Sequence, residues 1–410
     1  MSERVKGVRD FVGREAFLRQ QVLETIRKTF EVFGFEPIET PSFEYLSLFT
    51  NKSGPEIELQ LYSFEDKKGE KLALRPEHTI SKLRVVSENK SQVFPLKAYS
   101  IGNVWRYEDT KKGRWREFIQ ADIDVFGSTS IMYDSEVIAC IDFTIKKLGI
   151  SNYKINVSNR KILTSLMEDL NIGAEEMIQV LREVDKIHKV GMEEVIKRIS
   201  DLIGKDKAEK VGNYLSGKDI ARFRGQEELE SLIVDLKKTY GIEKVYFDRS
   251  LVRGQDYYDG TIFEFEFTEG DLKGVSFAGG GRYDRISKNF GSDFPIVGGS
   301  IGFDVVMEKI LSNYKNSFYG NFCVINVDDI EKAREIGGKL REAGIVTDVL
   351  LDGTSLSKGL DYCNSKKIKY AIIIGKRDLQ EGVVTVRDLE NKKEMKFKVD
   401  DIVSEVKSLV

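Results

Sequence analysis

The sequence is poor in the residues that most often build a metal centre or a cross-linked scaffold. Its 410 residues include three cysteines, Cys140, Cys323 and Cys363, and two histidines, His78 and His188. The cysteines lie far apart, which gives neither a metal-binding spacing nor a disulfide framework. Two histidines exclude a histidine-rich zinc centre. No run of about eighteen apolar residues occurs, so no membrane-spanning helix is expected. The stretch MSERVKGVRDFVG lacks the apolar segment of a secretory signal, and a cytoplasmic location is the expectation. An excess of positive charge is also missing, since 64 Lys and Arg face 67 Asp and Glu. That disfavours a protein that coats nucleic acid indiscriminately, while leaving local basic patches open.

What remains is the composition of a globular protein, 41% hydrophobic and 32% charged. The length allows two or three domains with cores of their own. Residues 14–33 place Phe17, Val22, Ile26 and Phe30 near helical spacing. Gly34 ends that helix, and Pro37 and Pro41 make FEPIETPSFEYLSLF an extended stretch. Residues 61–77 read as a hairpin around Lys68-Gly69, and 98–108 as a strand. Residues 160–240 read as helices, among them RKILTSLMEDL, AEEMIQVLREVDKIHKV and GQEELESLIVDLKKTY, set into a mixed domain that resumes at 244–267. From about residue 319 strands and helices alternate, the pattern of a separate α/β domain.

YEDTKKGRWREFIQADIDVF, residues 107–126, crowds basic, acidic and aromatic side chains together. Side chains two apart on a strand share a face. Ile119, Ala121, Ile123 and Val125 therefore form an apolar face, and Gln120, Asp122 and Asp124 a polar one. If the strand begins early, Arg114, Arg116 and Phe118 join the polar face. Arg106 and Glu108 share a face on the preceding strand, with Lys111-Lys112-Gly113 turning the chain. The residues alone leave two readings open. One is a solvated face with weak ion pairs. The other is a floor on which arginine forks hold a phosphate or carboxylate, acids hold an amine or imidazole nitrogen, and Phe118 stacks on a flat ring.

WRYEDTKKGRWREFIQ resembles motif 2 of class II aminoacyl-tRNA synthetases, with the best agreement in the histidyl-tRNA synthetase family. Further matches follow in that family's order. GFEPIETP is similar to motif 1 and LALRPEHT to a strand of the histidine site. LVRGQDYYDGTIFEF and SFAGGGRYD resemble two histidine-specific signatures, and VGGSIGFD stands at motif 3. The resemblance implies an α+β fold: an antiparallel β-sheet catalytic core over 1–318 with a helical insertion at about 160–240, then an α/β anticodon-binding domain over 319–410.

It also implies ligation of L-histidine to tRNA(His) through a histidyl-adenylate, with ATP as substrate, Mg2+ accompanying it and no dedicated structural metal. Arg106 and Arg253 would act on the α-phosphate and the substrate carboxylate. Glu77 and Thr79 would hold the α-amino group and Gln120 the carboxylate. Asp124 and Tyr258 would flank the imidazole, and Tyr283 would close the site. Glu108, Arg114 and Phe118 would serve ATP. Motif 1 implies a homodimer. His78 is assigned surface or local hydrogen bonding, and Gly279-Gly280-Gly281 is open to reading as a tight turn. The chain departs from the pattern at three places: Val305 stands where motif 3 has arginine, Gln255 replaces a leucine, and Asp124 replaces a glutamate. Arg114 with Mg2+ is the favoured replacement for the missing arginine, and Lys309 a lesser one. The alternative is a synthetase-like regulatory subunit similar to the one that supports ATP phosphoribosyltransferase.

Overall fold

The structure, a computed structural model, describes residues 3–50, 59–109, 114–218, 221–252, 258–313 and 321–409. It divides into two compact units, Met1–Arg9 with Val22–Ser312, and Asp10–Gln21 with Asn313–Val410.

Helix α1 (Gly13–Val32) buries Leu18, Val22, Ile26 and Phe30, one per turn. Phe17, expected in that stripe, is exposed, because the four-residue repeat runs through its neighbour Leu18. The strands β1 (Glu36–Pro37) and β2 (Phe43–Tyr45) follow. The extended stretch expected through residue 49 instead turns into helix α2 (Leu46–Thr50), which fully buries Phe49. Strands β3 (Ser63–Glu65) and β4 (Lys71–Leu74) form the expected hairpin. Gly69 takes φ +85° there, and the Asp66 carboxylate accepts from the backbone N–H of Lys68 and Glu70 at 2.8 and 2.9 Å. A three-stranded sheet has the order β2-β4-β3.

After helix α3 (Thr79–Glu88) come β5 (Leu96–Trp105) and β6 (Glu117–Phe126), then α4 (Ile131–Lys147) and β7 (Tyr153–Asn159). Six helices separate β7 from β8 (Val245–Phe247). They are α5 (Arg160–Asp169), α6 (Ala174–Val184), α7 (Ile187–Val190), α8 (Met192–Ile203), α9 (Lys205–Leu215) and α10 (Gln226–Lys238). The stretch 174–190 is two helices rather than one, broken at Asp185-Lys186. Helix α10 packs on α4, β7 and β8. Strands β9 (Thr261–Phe267), β10 (Ser276–Arg282) and β11 (Ile296–Gly302) lead into helix α11 (Phe303–Asn313).

The main sheet has the order β1-β5-β6-β11-β10-β9-β7-β8. Its six inner strands are antiparallel to their neighbours, while the short edges β1 and β8 pair in parallel. Ala121, Ile123 and Val125 of β6 are fully buried on the face that α4 covers. Asp122 and Asp124 face the other way and are also buried, at 4% and 2% exposure. The solvated-face reading of this strand is therefore wrong. The strand begins at Glu117, so Arg114 and Arg116 precede it rather than extend its polar face.

In the second unit, β12 (Phe322–Asn326), α12 (Ile330–Glu342), β13 (Thr347–Leu350), α13 (Leu356–Lys366) and β14 (Tyr370–Ile374) alternate as expected. Helix α14 (Lys376–Gln380), β15 (Val383–Asp388), β16 (Lys393–Lys398) and α15 (Ile402–Lys407) complete it. The sheet order is β13-β12-β14-β15-β16, parallel across β13-β12-β14 and antiparallel beyond.

Candidate functional site

A cavity of about 100 Å³ opens on the polar face of the main sheet. Side chains from five separated stretches converge on it: Glu77 and Thr79 before and at the start of α3, Arg106 after β5, Gln120, Asp122 and Asp124 on β6, Tyr258 before β9 and Tyr283 after β10. Glu77 accepts from the backbone N–H of Thr79 at 2.5 Å and of Ile80 at 2.9 Å, so it also caps the first turn of α3. Burial pushes its carboxyl above the usual range, against the pull of those N–H groups. Arg106 donates through Nε to the Pro76 carbonyl at 2.9 Å, and its guanidinium lies 5.3 Å from the Phe118 ring. Gln120 Oε1 is buried with no hydrogen-bond partner among the described residues, which suits the cavity to a polar ligand.

Asp124 is clamped on both oxygens. Oδ1 accepts from the Tyr283 hydroxyl, and Oδ2 pairs with Lys82 Nζ, which α3 brings in from the side. Burial raises the acid pKa of both Asp122 and Asp124, and the Lys82 ammonium opposes that in each case. Tyr258 meets Tyr283 edge to face, with ring centroids 6.0 Å apart. Strand β11 makes the room: a Cβ at Gly298 would collide with Asp124 Oδ1 and Tyr283 Oη.

A sequence model of histidyl-tRNA synthetase matches residues 7–306, and one of an anticodon-binding domain matches 321–409. The histidine–tRNA ligase of Pyrococcus abyssi is 36% identical over 432 residues, covering 100% of both chains. The crystal structure of histidyl-tRNA synthetase from Nostoc sp. PCC 7120 superposes with a TM-score of 0.87 at 24% identity, covering 100% of this chain and 99% of that one. A Bacillus halodurans structure titled as an ATP phosphoribosyltransferase regulatory subunit/histidyl-tRNA synthetase shares the fold with a TM-score of 0.75 at 24% identity, over 88% of this chain and 96% of that one. The chain belongs to the histidyl-tRNA synthetase family.

All six residues that the family resemblance assigns to the amino acid line the one cavity, as does Arg106. The three assigned to ATP alone do not line it. Phe118 borders it through Arg106, Arg114 is exposed, and the Glu108 carbonyl accepts from Arg116 Nε at 3.3 Å. Arg253, Gln255 and the Lys111-Lys112-Gly113 turn lie outside the described residues.

The structure decides between two pairs of alternatives that the sequence leaves open. His78 is not at the surface: it is 1% exposed, with Nε2 3.2 Å from the Gly102 carbonyl. Burial, aided by Arg75 and Lys82, pushes its pKa down to about 3, so it is neutral and unsuited to acid–base work near pH 7. Gly279-Gly280-Gly281 is no turn but the middle of β10, paired with Ser300, Gly299 and Gly298.

The stretch that resembles motif 3, VGGSIGFD, runs along β11 into the first turn of α11. Asp304 is buried and its Oδ2 accepts from Ile119 N–H at 2.9 Å, tying α11 to β6. Lys309 turns away from motif 2, with Nζ 5.6 Å from the Phe267 ring. Another cation stands near Val305. Arg9 approaches Asp304 at 3.7 Å and Glu308 at 3.5 Å, and its guanidinium lies 4.2 Å from the Trp115 ring. Sequence reading passes over Arg9 and Lys82, and puts Asp122 on the polar face without giving it a role. A lysine beside the apolar positions Ile80, Leu83 and Val86 of α3 was the only signal for Lys82.

Proposed function

We propose that this chain is a histidine–tRNA ligase, and that the cavity above β6 is where histidine and ATP react. One observation carries the reading: Glu77, Thr79, Arg106, Gln120, Asp124, Tyr258 and Tyr283, scattered along the sequence, line a single cavity. The cavity suits an amino acid. Glu77 and Thr79 take the α-ammonium, Gln120 and Arg106 the carboxylate, and Asp124 with Tyr258 the imidazole, while Tyr283 closes the wall behind it. Phe118 stacks on adenine, with Glu108 and Arg114 toward the base and the distal phosphates.

In the first step a carboxylate oxygen of histidine attacks the α-phosphorus of ATP and pyrophosphate leaves. In the second, a hydroxyl of the 3′-terminal ribose of tRNA(His) attacks the acyl carbon and AMP leaves. No covalent bond to the enzyme is needed. The protein's part is to align the carboxylate and to meet charge growing on the phosphoryl oxygens, the work assigned to Arg106 and Arg253. Among the described residues no group of three His, Cys, Asp or Glu side chains is placed to hold a metal ion. Mg2+ enters as the counter-ion of the ATP phosphates.

The segment 319–410 reads the anticodon, the insertion within 160–240 meets the acceptor arm, and two copies pair through motif 1 as a cytoplasmic homodimer. Among the described residues no helix is long and apolar enough to cross a membrane. The regulatory-subunit alternative draws on Val305, but the anticodon-binding match over 321–409 speaks for a chain that handles tRNA.

The test is ATP–pyrophosphate exchange with a panel of amino acids, followed by charging of tRNA. Exchange with histidine alone is expected. Comparable exchange with asparagine or lysine, or none with histidine at any Mg2+ concentration, would sink the assignment in favour of the regulatory reading.

A further inference from the structure

Behind the cavity wall stands a lysine to which the proposed reaction gives no task. Lys82 has 0% exposure, and its Nζ meets Asp124 Oδ2. An ammonium so placed costs several kcal/mol in lost hydration unless a partner offsets it. Here the partner is a residue that itself lines the cavity. The Tyr283 hydroxyl holds the other oxygen, and the missing side chain at Gly298 lets all three groups close in.

We propose that Lys82 is a positioning residue for the amino-acid substrate: its ammonium fixes Asp124 as a charged acceptor for the imidazole N–H of histidine. This rests on the assignment of the cavity to histidine. A lysine that merely filled space behind a short aspartate would need no charge. The surroundings show what the charge does. Asp122, two residues along β6, and burial both favour the protonated acid at Asp124, while Lys82 and Tyr283 favour the carboxylate. His78, beside α3, is neutral, and Glu77, Arg106 and Tyr258 are the other ionisable groups lining the cavity among the described residues. Without the ammonium the balance tips toward the acid form. Protonated Asp124 presents a donor where an imidazole N–H needs an acceptor. Deprotonation at higher pH restores the acceptor, so the defect should fade as pH rises.

The test compares the full-length parent with Lys82→Met, Asp124→Asn and the double variant. Histidine KM and kcat are read in ATP–pyrophosphate exchange from about pH 6.5 to about pH 8.5. Variant-to-parent ratios cancel the substrate's own ionisation, and circular dichroism checks folding. Lys82→Met should raise the histidine KM on the order of tenfold near neutrality, the equivalent of one pKa unit, with kcat little changed. That ratio should shrink as pH rises. Asp124→Asn should raise KM without a pH trend, and adding Lys82→Met to it should bring no further loss. A pH-independent penalty, a loss confined to kcat, or an unchanged KM overturns the role of Lys82. If Lys82→Met alone does not fold, the double variant decides against Asp124→Asn: equal KM values support the proposal and a further rise overturns it. A parent with no histidine-dependent exchange overturns the site assignment, and this proposal with it.

Discussion

Strand β12 of the second unit and strand β6 of the first are both flanked by strands on either side, and both are largely buried, yet they spend their alternation differently. In the second unit Phe322, Val324, Tyr370 and Ile372 face one apolar cluster while Cys323, Ile325 and Ala371 face another. At β12 and β14 that sheet is apolar on both sides, as a scaffold needs to be. On β6 one side is apolar and the other carries Gln120, Asp122 and Asp124 into the interior beside Lys82. Burying charge is costly even when paired, and a hydrophobic replacement would often be as stable or more so.

The contrast can be broken at three points. The largest effect is expected at Arg106, which lines the cavity outside the apolar core. Arg106→Ala should cut histidine-dependent exchange by roughly a hundredfold or more, the loss typical of one preorganised donor, about 3–4 kcal/mol. Circular dichroism should be unchanged, and near-normal exchange would remove Arg106 from the reaction.

A core change in the other sheet should act on stability instead. Ile372 is fully buried in β14, and Ile372→Ala should destabilise that unit by about 2–5 kcal/mol. Thermal unfolding of the unit should move down and tRNA charging should weaken, while exchange without tRNA persists. Equal loss of both activities would show that the two sheets do not divide the labour.

The third effect is smaller and depends on pH. His78 binds a proton in the unfolded chain below about pH 6.5 but not in the folded one until about pH 3. The unfolded state therefore gains protons first, and His78 lowers stability as pH falls through that window, by up to roughly 1.4 kcal/mol per pH unit. The raised pKa values of Glu77, Asp122 and Asp124 work in the opposite direction. They are shared by His78→Gln, so the difference between parent and variant isolates the imidazole. Denaturant midpoints from pH 6.5 downward should converge or cross, and parallel curves would mean that His78 stays neutral in both states.

Much of the cavity was legible before the fold was known, because period-two alternation sorts β6 into faces whatever surrounds it. Alternation does not say whether a polar face is wet, so Gln120, Asp122 and Asp124 stay open in the sequence between a solvated face and a binding floor. Lys82 hid in the same way. A lysine beside a helix stripe normally snorkels to water, and only the cavity on the far side of α3 turns it inward. Arg9 could not be foreseen at all, since its approach to Asp304 depends on tertiary packing between distant stretches. The one-residue phase error between Phe17 and Leu18 on α1 is of a different kind: two apolar neighbours made either stripe plausible.

The close packing of Lys82, Asp124, Tyr283 and Gly298 also constrains how such a pocket changes over generations. Losing either charge alone strands the other in the interior, at about 3–5 kcal/mol, a large share of the 5–15 kcal/mol that holds a typical domain together. A longer acid at 124 must fit a space already closed by Tyr283 and Lys82. Any side chain at 298 meets the same oxygens. Positions 82, 124 and 298 are therefore coupled in energy: a change at one alters the space or the charge that the other two require.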